Sequence, residues 1–470
     1  MYCGYVTTLK NVRQHPNADR MKLADCFGNT VCVGLDAADG NVVIYFPTDG
    51  QLSIEYCTQN DLVRRKDENG NPCGGYLDPD KRNIRAIKLR GEKSDGLTMP
   101  LASLAYTGID VLSLNVGDTI TVVNGHEICQ KYIPKVKNCG HSSGAGGNRV
   151  RKKKAPIAPL FQEHADTEQL AYNLGAFKPG DEIEITLKMH GTSQRTGYLP
   201  TFQGYKRTIW DKLFRRAGTP IYDWDYVSGT RRVVLDTFDG GFYGSNEFRE
   251  QHAEVFKGKL WKGETVYYEV VGFTHTGAPI MASADNKKIS DKEFVKQYGA
   301  ETVFSYGCTP TGKKGFGITE HDVPQSDIYV YRMTMTNEDG NVVEYTPDFM
   351  RYRCEQMGVK TVPVMWKGII PEDEWEEWCY DLEGRWGEYL RHREGTPGEW
   401  IKDKADQYYD GPDPIGKTHV REGVVVRILN RPKFTAYKHK NFHFKVLEGI
   451  CKDAATAPDM EEASGLEEEV

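Results

Sequence analysis

Lys188-Met189-His190-Gly191-Thr192-Ser193 follows an alternating apolar run, Ile183, Ile185 and Leu187, so the pattern places a lysine at the end of a strand. That lysine is a candidate nucleophile. Its amine attacks an α-phosphorus only when neutral, and with an ordinary pKa of about 10.4 only about a thousandth is neutral near neutral pH. Neighbouring cations and partial burial lower such a pKa, and the glycine that follows lets backbone approach a phosphate with no Cβ in the way. Taken alone, K-x-x-G is more often a solvated lysine at a strand edge.

Four further stretches follow in order. Glu269 sits in the β-rich run Tyr268-Glu269-Val270-Val271-Gly272, and Tyr331 in Tyr329-Val330-Tyr331-Arg332. Glu422 opens Glu422-Gly423-Val424-Val425-Val426, and Lys438-His439-Lys440 begins 16 residues after Glu422. Strand periodicity puts Tyr329 and Tyr331 on one face, with Val330 packing behind, so Tyr331 can lie flat against a base. Lys438 and Lys440 share a face at i and i+2, as two cations bracketing a phosphate require.

This ordered set resembles the covalent nucleotidyltransferase superfamily of ATP-dependent ligases and capping enzymes, and within it the RNA ligases, whose nucleophile motif often reads K-x-H-G-T. DNA ligases and capping enzymes usually have aspartate where this chain has His190. The resemblance to the phage and RNA-editing type ligases runs from about Phe161 to Gly449. It implies Lys188 as nucleophile, Glu269 on the ribose, Tyr331 on adenine, Glu422 organising the water shell of a catalytic metal, and Lys438 and Lys440 on the α-phosphate. His190 and Gly191 fall within the nucleotide-binding motif, and Arg195 and Arg231 are weaker nucleotide contacts, with Arg232 close behind. Many of these ligases carry aspartate where this chain has Arg332, so no role attached to that aspartate transfers. The implied cofactors are ATP and Mg²⁺, with Mn²⁺ as a substitute. The implied partner is RNA with 3′-hydroxyl and 5′-phosphate ends, in a nicked duplex, acted on by a monomer with no protein partner.

These residues need elements to hold them. With 470 residues the chain is long enough for two or three domains. Residues 1–125 read as short strands between turns (Gly4 to Val12, Met21 to Phe27, Thr30 to Leu35, Asn41 to Phe46, Asn83 to Arg90, Asp118 to Val123), the pattern of a small barrel. Within them, His15-Pro16-Asn17-Ala18-Asp19 resembles a motif of OB-fold tRNA-binding domains, although turn chemistry alone explains its residue types. Arg85, Lys88 and Arg90 cannot all share one strand face unless the strand is bulged, and some of them are candidates to meet phosphates. The expected architecture is α+β: an N-terminal OB-fold β-barrel over 1–125, a basic Gly/Ser-rich linker over 126–160, and an ATP-grasp-like nucleotidyltransferase domain over 161–450. That domain is expected to be built on antiparallel sheets with flanking helices, and an acidic disordered tail follows over 451–470.

Finer features accompany this division. Arg149 and Arg151 to Lys154 make a cation cluster in the linker. A short helix opens at Asp166, presents Leu170 and Leu174 and closes at Gly175. Two inserts, Tyr205 to Asp225, rich in Arg, Lys and Trp, and Thr274 to Gln325, with a Gly/Lys turn at Gly312 to Gly317, are expected on the surface. Trp375, Trp378, Cys379, Leu382 and Trp386 fall at helical spacing and read as core.

Sixty basic against sixty-seven acidic side chains give a formal charge of −7, so any nucleic-acid contact is a local basic surface rather than a general coat. Eleven cysteines without a close pair fit a reduced compartment, and Cys129, Cys139 and His141 lack a fourth ligand for zinc. With no apolar leader or membrane-length run, the expected location is cytoplasmic, a nuclear one being compatible. Two rival readings remain: a non-catalytic RNA- or tRNA-binding protein on a nucleotidyltransferase scaffold, and a capping-type guanylyltransferase that uses GTP.

Overall fold

The computed structural model describes residues 2–66, 68–133, 155–164, 167–214, 218–235, 237–238, 247–310, 324–372, 377–380, 386–389 and 395–453. It is a mixed α+β chain whose sheets are mostly antiparallel, with few and short helices. Two compact units emerge. One comprises Met1–Val136, Ala284–Thr302 and Asn441–Asp459, the other Lys137–Ser283, Val303–Lys440 and Met460–Val470. This division differs from one drawn along the sequence. The strand Cys129–Lys131 pairs with Gly50–Leu52 instead of starting a linker. Ala284–Asp285 and Glu301–Thr302 pair with each other inside the first unit, which also holds the helix Phe442–Asp453.

The first unit has a four-stranded sheet in the order Leu97–Pro100, Val42–Phe46, Gly4–Thr8, Thr119–Ile120, and a three-stranded sheet of Lys10–Gln14, Lys22–Cys26 and Asn29–Val33. Val6, Ile44, Phe46, Leu52, Tyr56 and Ile128 form its core. The His15-Pro16-Asn17 turn is tied to the tip of a hairpin. His15 Nδ1 accepts from Asn17 N at 3.1 Å, its Nε2 meets Leu89 O at 3.1 Å, and Asn17 Nδ2 donates to Arg90 O at 3.0 Å. His15 is buried in this role, as turn chemistry demands. Lys88 is paired with Asp291, which also caps the helix Lys292–Tyr298.

The second unit carries two sheets. One has the order Glu168–Gln169, Thr435–Lys440, Gly423–Ile428, Glu182–Leu187, Val364–Ile369. Its β-branched positions Ile183, Ile185, Val424 and Val426 are buried together with Leu170, Phe177 and Ile401. The other runs Val234–Leu235, Thr219–Gly229, Thr192–Lys206, Glu264–Gly272, Ser326–Thr336, Val342–Glu344, over a core of Phe248, Val266, Tyr268, Val270, Val330 and Met333.

Two expectations fail here. The helix at Leu170 to Gly175 is a pair of 3₁₀ turns, Leu170–Tyr172 and Leu174–Ala176, because Gln169 is already committed to a strand beside Lys438. Trp378, Cys379 and Trp386 lie in an antiparallel hairpin, Glu377–Tyr380 with Trp386–Tyr389, since helical spacing in a short aromatic-rich run does not outweigh its strand preference. Asp166, Trp375, Leu382, the 149–154 cations, the 312–317 turn, Cys139, His141 and the acidic tail lie outside the described residues. Cys129 is buried with its Sγ donating to Ile120 O.

Candidate active site

Lys188 leaves the end of the strand Glu182–Leu187, whose inward residues anchor it in the core. Its N donates to Gly423 O at 3.0 Å, and Gly423 lies opposite Lys440 on the next strand. Lys188, Gly423 and Lys440 therefore form one row across three strands. Thr186, Val425 and Lys438 form the next row on the same face, while Leu187 and Val424 turn to the core. Gly423 has φ +146°, and a Cβ there would stand 2.1 Å from His439 O, so only glycine lets the strands meet at this row.

Glu422 is the centre of the cluster. Its carboxylate is 2% exposed, with Oε1 at 2.8 Å from Lys188 Nζ and 3.6 Å from Lys440 Nζ. His190 Nδ1 lies 3.7 Å from Oε2, and among the described residues Oε2 accepts no hydrogen bond. A buried carboxylate is tolerated only when paired, and here two lysines supply the pairing. Among the described residues no three His, Cys, Asp or Glu side chains gather to hold a metal. That donor set fits Mg²⁺ or Mn²⁺ held by one carboxylate oxygen, water and substrate phosphates, and does not fit a structural zinc.

Three main-chain amides of the loop after Leu187 are held from different directions. Lys188 N is bound by Gly423, His190 N donates to Tyr306 Oη at 2.6 Å, and Gly191 N donates to Glu269 Oε1 at 3.2 Å. Gly191 is required for a reason other than phosphate approach: a Cβ there would lie 2.3 Å from Val270 O on the neighbouring strand. Tyr306 is buried, its phenol pushed up by burial and by the carboxylates of Asp413, Glu422 and Glu269. Behind the loop, Phe304 meets the His190 ring edge-on at 4.7 Å and the His419 ring at 5.2 Å.

Glu269 and Tyr331 come from the other sheet. Ser193, Glu269 and Tyr329 are in register across three strands, and a bulge opposite Tyr267 and Tyr268 makes Tyr331 the extra residue. The bulge breaks the simple alternation, so Tyr331 and Arg332 both turn away from the core that holds Val330 and Met333. Tyr331 Oη is 2.9 Å from Ser193 Oγ, and its ring is 5.0 Å from that of His164.

His164 was not a sequence candidate, because an isolated histidine between elements carries no periodic signal. Arg332 donates to its Nδ1 at 3.3 Å and is itself held by both oxygens of Glu344. Burial, then the guanidinium groups of Arg332, Arg231, Arg195 and Arg427, hold the imidazole well below its ordinary pKa and therefore neutral. Arg195 is buried and donates to the carbonyls of Thr230, Phe161 and Arg232 at 3.0, 3.0 and 3.1 Å, so it fastens the 230–232 turn. Arg231 is half-buried on the side of His164, and Arg232 is exposed.

No family model matches the chain, and no curated protein does. Among solved structures it is similar to an RNA ligase of Naegleria gruberi. A mutant of that enzyme with AMP and Mn aligns at 15% identity and TM-score 0.50, covering 94% of this chain and 97% of that one. An apo mutant gives 16% and 0.50, covering 94% and 96%. A mutant with ATP and Mn gives 16% and 0.50, covering 94% and 98%. At such identity the likeness establishes the fold, which extends over nearly the whole of both chains.

Proposed function

We propose that the chain is an ATP-dependent RNA ligase that joins 3′-hydroxyl and 5′-phosphate ends through a lysyl-AMP intermediate. One observation carries the reading: Lys188 ends a buried strand in a row with Lys440 and against the buried Glu422, 2.8 Å from its Nζ. Buried charge of this kind is costly to a scaffold and useful to phosphoryl transfer.

In this reading Lys188 gives up a proton and its amine forms a bond to the α-phosphorus of ATP as the bond to pyrophosphate breaks. The AMP then passes to the RNA 5′-phosphate, and the 3′-hydroxyl displaces AMP to close the phosphodiester. The Lys188 ammonium donates to Glu422, so attack requires that this pair opens. Lys438 and Lys440 neutralise charge on the phosphoryl oxygens, Glu269 accepts from the ribose hydroxyls, and Tyr331 offers its ring to adenine. A divalent ion, Mg²⁺ or Mn²⁺, would be held by Glu422 and would supply further charge neutralisation on the phosphates. The N-terminal strands are read as an OB-type domain that grips RNA, and the natural substrate as a nicked duplex sealed by a monomer in the cytoplasm. No described helix is long and apolar enough to cross a membrane.

The test is incubation of the purified chain with Mg²⁺ and α-labelled ATP or GTP without RNA, followed by a denaturing gel. Label from ATP that is absent in Lys188→Ala is the expected result. Label from GTP would transfer the chain to capping chemistry. No label from either, in a folded preparation freed of bound AMP, would leave the RNA-binding scaffold.

A further inference from the structure

The insert between the nucleophile strand and Arg231 ends in a feature that the proposed chemistry does not use. The strands Thr192–Lys206 and Thr219–Gly229 form a long hairpin, and the short helix Ile209–Leu213 lies near its tip. Thr208 and Asp211 cap this helix reciprocally: Thr208 N and Oγ1 donate to Asp211 Oδ2 at 2.9 and 2.7 Å, and Asp211 N donates to Thr208 Oγ1 at 3.2 Å. Its apolar side chains nevertheless face solvent. Ile209, Trp210, Leu213 and Phe214 are 82, 66, 66 and 59% exposed. Four large apolar side chains displayed by an ordered element mark an interaction surface.

The chemistry of the surroundings selects the partner. Lys206 and Arg207 are exposed beside the patch, and the described residues 206–214 hold a single acid, in a chain of net charge −7. That acid, Asp211, is occupied by the cap. The Trp210 and Phe214 rings lie nearly parallel, 13° apart with centroids at 6.0 Å. Behind them the hairpin is stiffened by aromatic contacts, Phe202 with Tyr205 and Tyr222, then Tyr198 with Trp224 and Tyr226. Exposed parallel rings flanked by cations are what unpaired nucleic-acid bases and their phosphates bind.

We infer that this hairpin tip is a docking platform for single-stranded RNA, with bases stacking on Trp210 and Phe214 and phosphates meeting Lys206 and Arg207. The inference rests on the ligase reading for the identity of the strand, and it adds where an RNA end or flanking single strand is held.

The experiment measures binding of a fluorescein-labelled single-stranded RNA to the full chain by anisotropy, alongside ATP labelling of Lys188. Trp210→Ala/Phe214→Ala is expected to raise Kd roughly tenfold or more while ATP labelling is retained. Lys206→Gln/Arg207→Gln is expected to reduce the slope of log K against log salt by about 1.4, from two phosphate contacts on a single strand. Should the aromatic variant fail to fold, 4-thiouridine RNA crosslinked to the unaltered protein is expected to attach within 205–225. Unchanged Kd in a variant that still labels, or crosslinks that all fall elsewhere, overturns the platform. Loss of binding to anionic lipid vesicles with unchanged RNA affinity overturns it in favour of a membrane surface. Absence of ATP labelling in the unaltered protein counts against the ligase reading alone, because RNA affinity is read separately.

Discussion

Lys188 Nζ and the Glu422 carboxylate are close enough that the proposed nucleophile is held and masked by the same group. What keeps the lysine in register is its main chain, and the least expected contributor is Tyr306, whose hydroxyl accepts from His190 N at 2.6 Å. Tyr306→Phe removes that acceptor and leaves a buried amide unpaired, a loss of about 1–3 kcal/mol. Under the proposed ligase reading, lysyl-AMP formation at saturating ATP should slow roughly tenfold or more while the ATP concentration for half-maximal labelling stays near its original value. A rise in that concentration with an unchanged maximal rate would place Tyr306 on the nucleotide instead of on the loop.

At the scale of elements, two buried polar contacts lock helices to the larger sheet. Arg353, on the helix Pro347–Met357, donates through Nε and Nη2 to the two oxygens of Glu264 at 2.8 Å each, with Tyr345 Oη on the same carboxylate at 3.1 Å. Glu264 is 0% exposed, so Arg353→Ala strands its charge and should cost about 3–5 kcal/mol in denaturant unfolding. His252, on the helix Glu247–Glu254, meets Ser326 Oγ at 2.9 Å. Burial, opposed in part by the Asp327 carboxylate, lowers its imidazole from 6.5 to about 4. The folded chain thus keeps His252 neutral where the unfolded chain takes a proton. Its contribution is complete above about pH 6.5 and is lost as pH falls toward 4, up to about 3 kcal/mol. His252→Gln, which can still reach Ser326, should flatten the fall in Tm between pH 7 and pH 5. An identical fall in both proteins would show that other groups set the acid limit.

At the scale of the molecule, the N-terminal unit is completed by chain that follows Lys438 and Lys440. The helix Phe442–Asp453 buries Phe444 and Leu447 and packs on Ala86–Leu89, Ala284–Asp285 and Asn286–Ile289. Ending the chain at Lys440 removes four buried apolar side chains, Phe442, Phe444, Val446 and Leu447, worth roughly 1.5–3 kcal/mol each. Hydrogen exchange should then lose protection in Ala86–Leu89 while Glu264–Gly272 stays protected. Equal loss in both segments would mean that the units unfold as one.

Much of the candidate site's placement on strands was legible because strands announce themselves by period two. Ile183, Ile185 and Leu187 fixed where Lys188 emerges, and the i, i+2 spacing of Lys438 and Lys440 fixed their common face. Glycine at 191 was legible as a requirement, but its cause, a carbonyl oxygen of the adjacent strand 2.3 Å from a Cβ, exists only once the strands are paired, and the need for glycine at 423 emerged only with that pairing. The bulge at Tyr331, the hold of Tyr306 on His190 and the four arginines around His164 join residues far apart in the chain, and no local pattern encodes them. The sequence by itself therefore determined which residue types were available for the proposed phosphoryl transfer and which strands carry them. Only the tertiary structure decided which side chains meet, because that depends on pairing register and burial across the sheets rather than on neighbours along the chain.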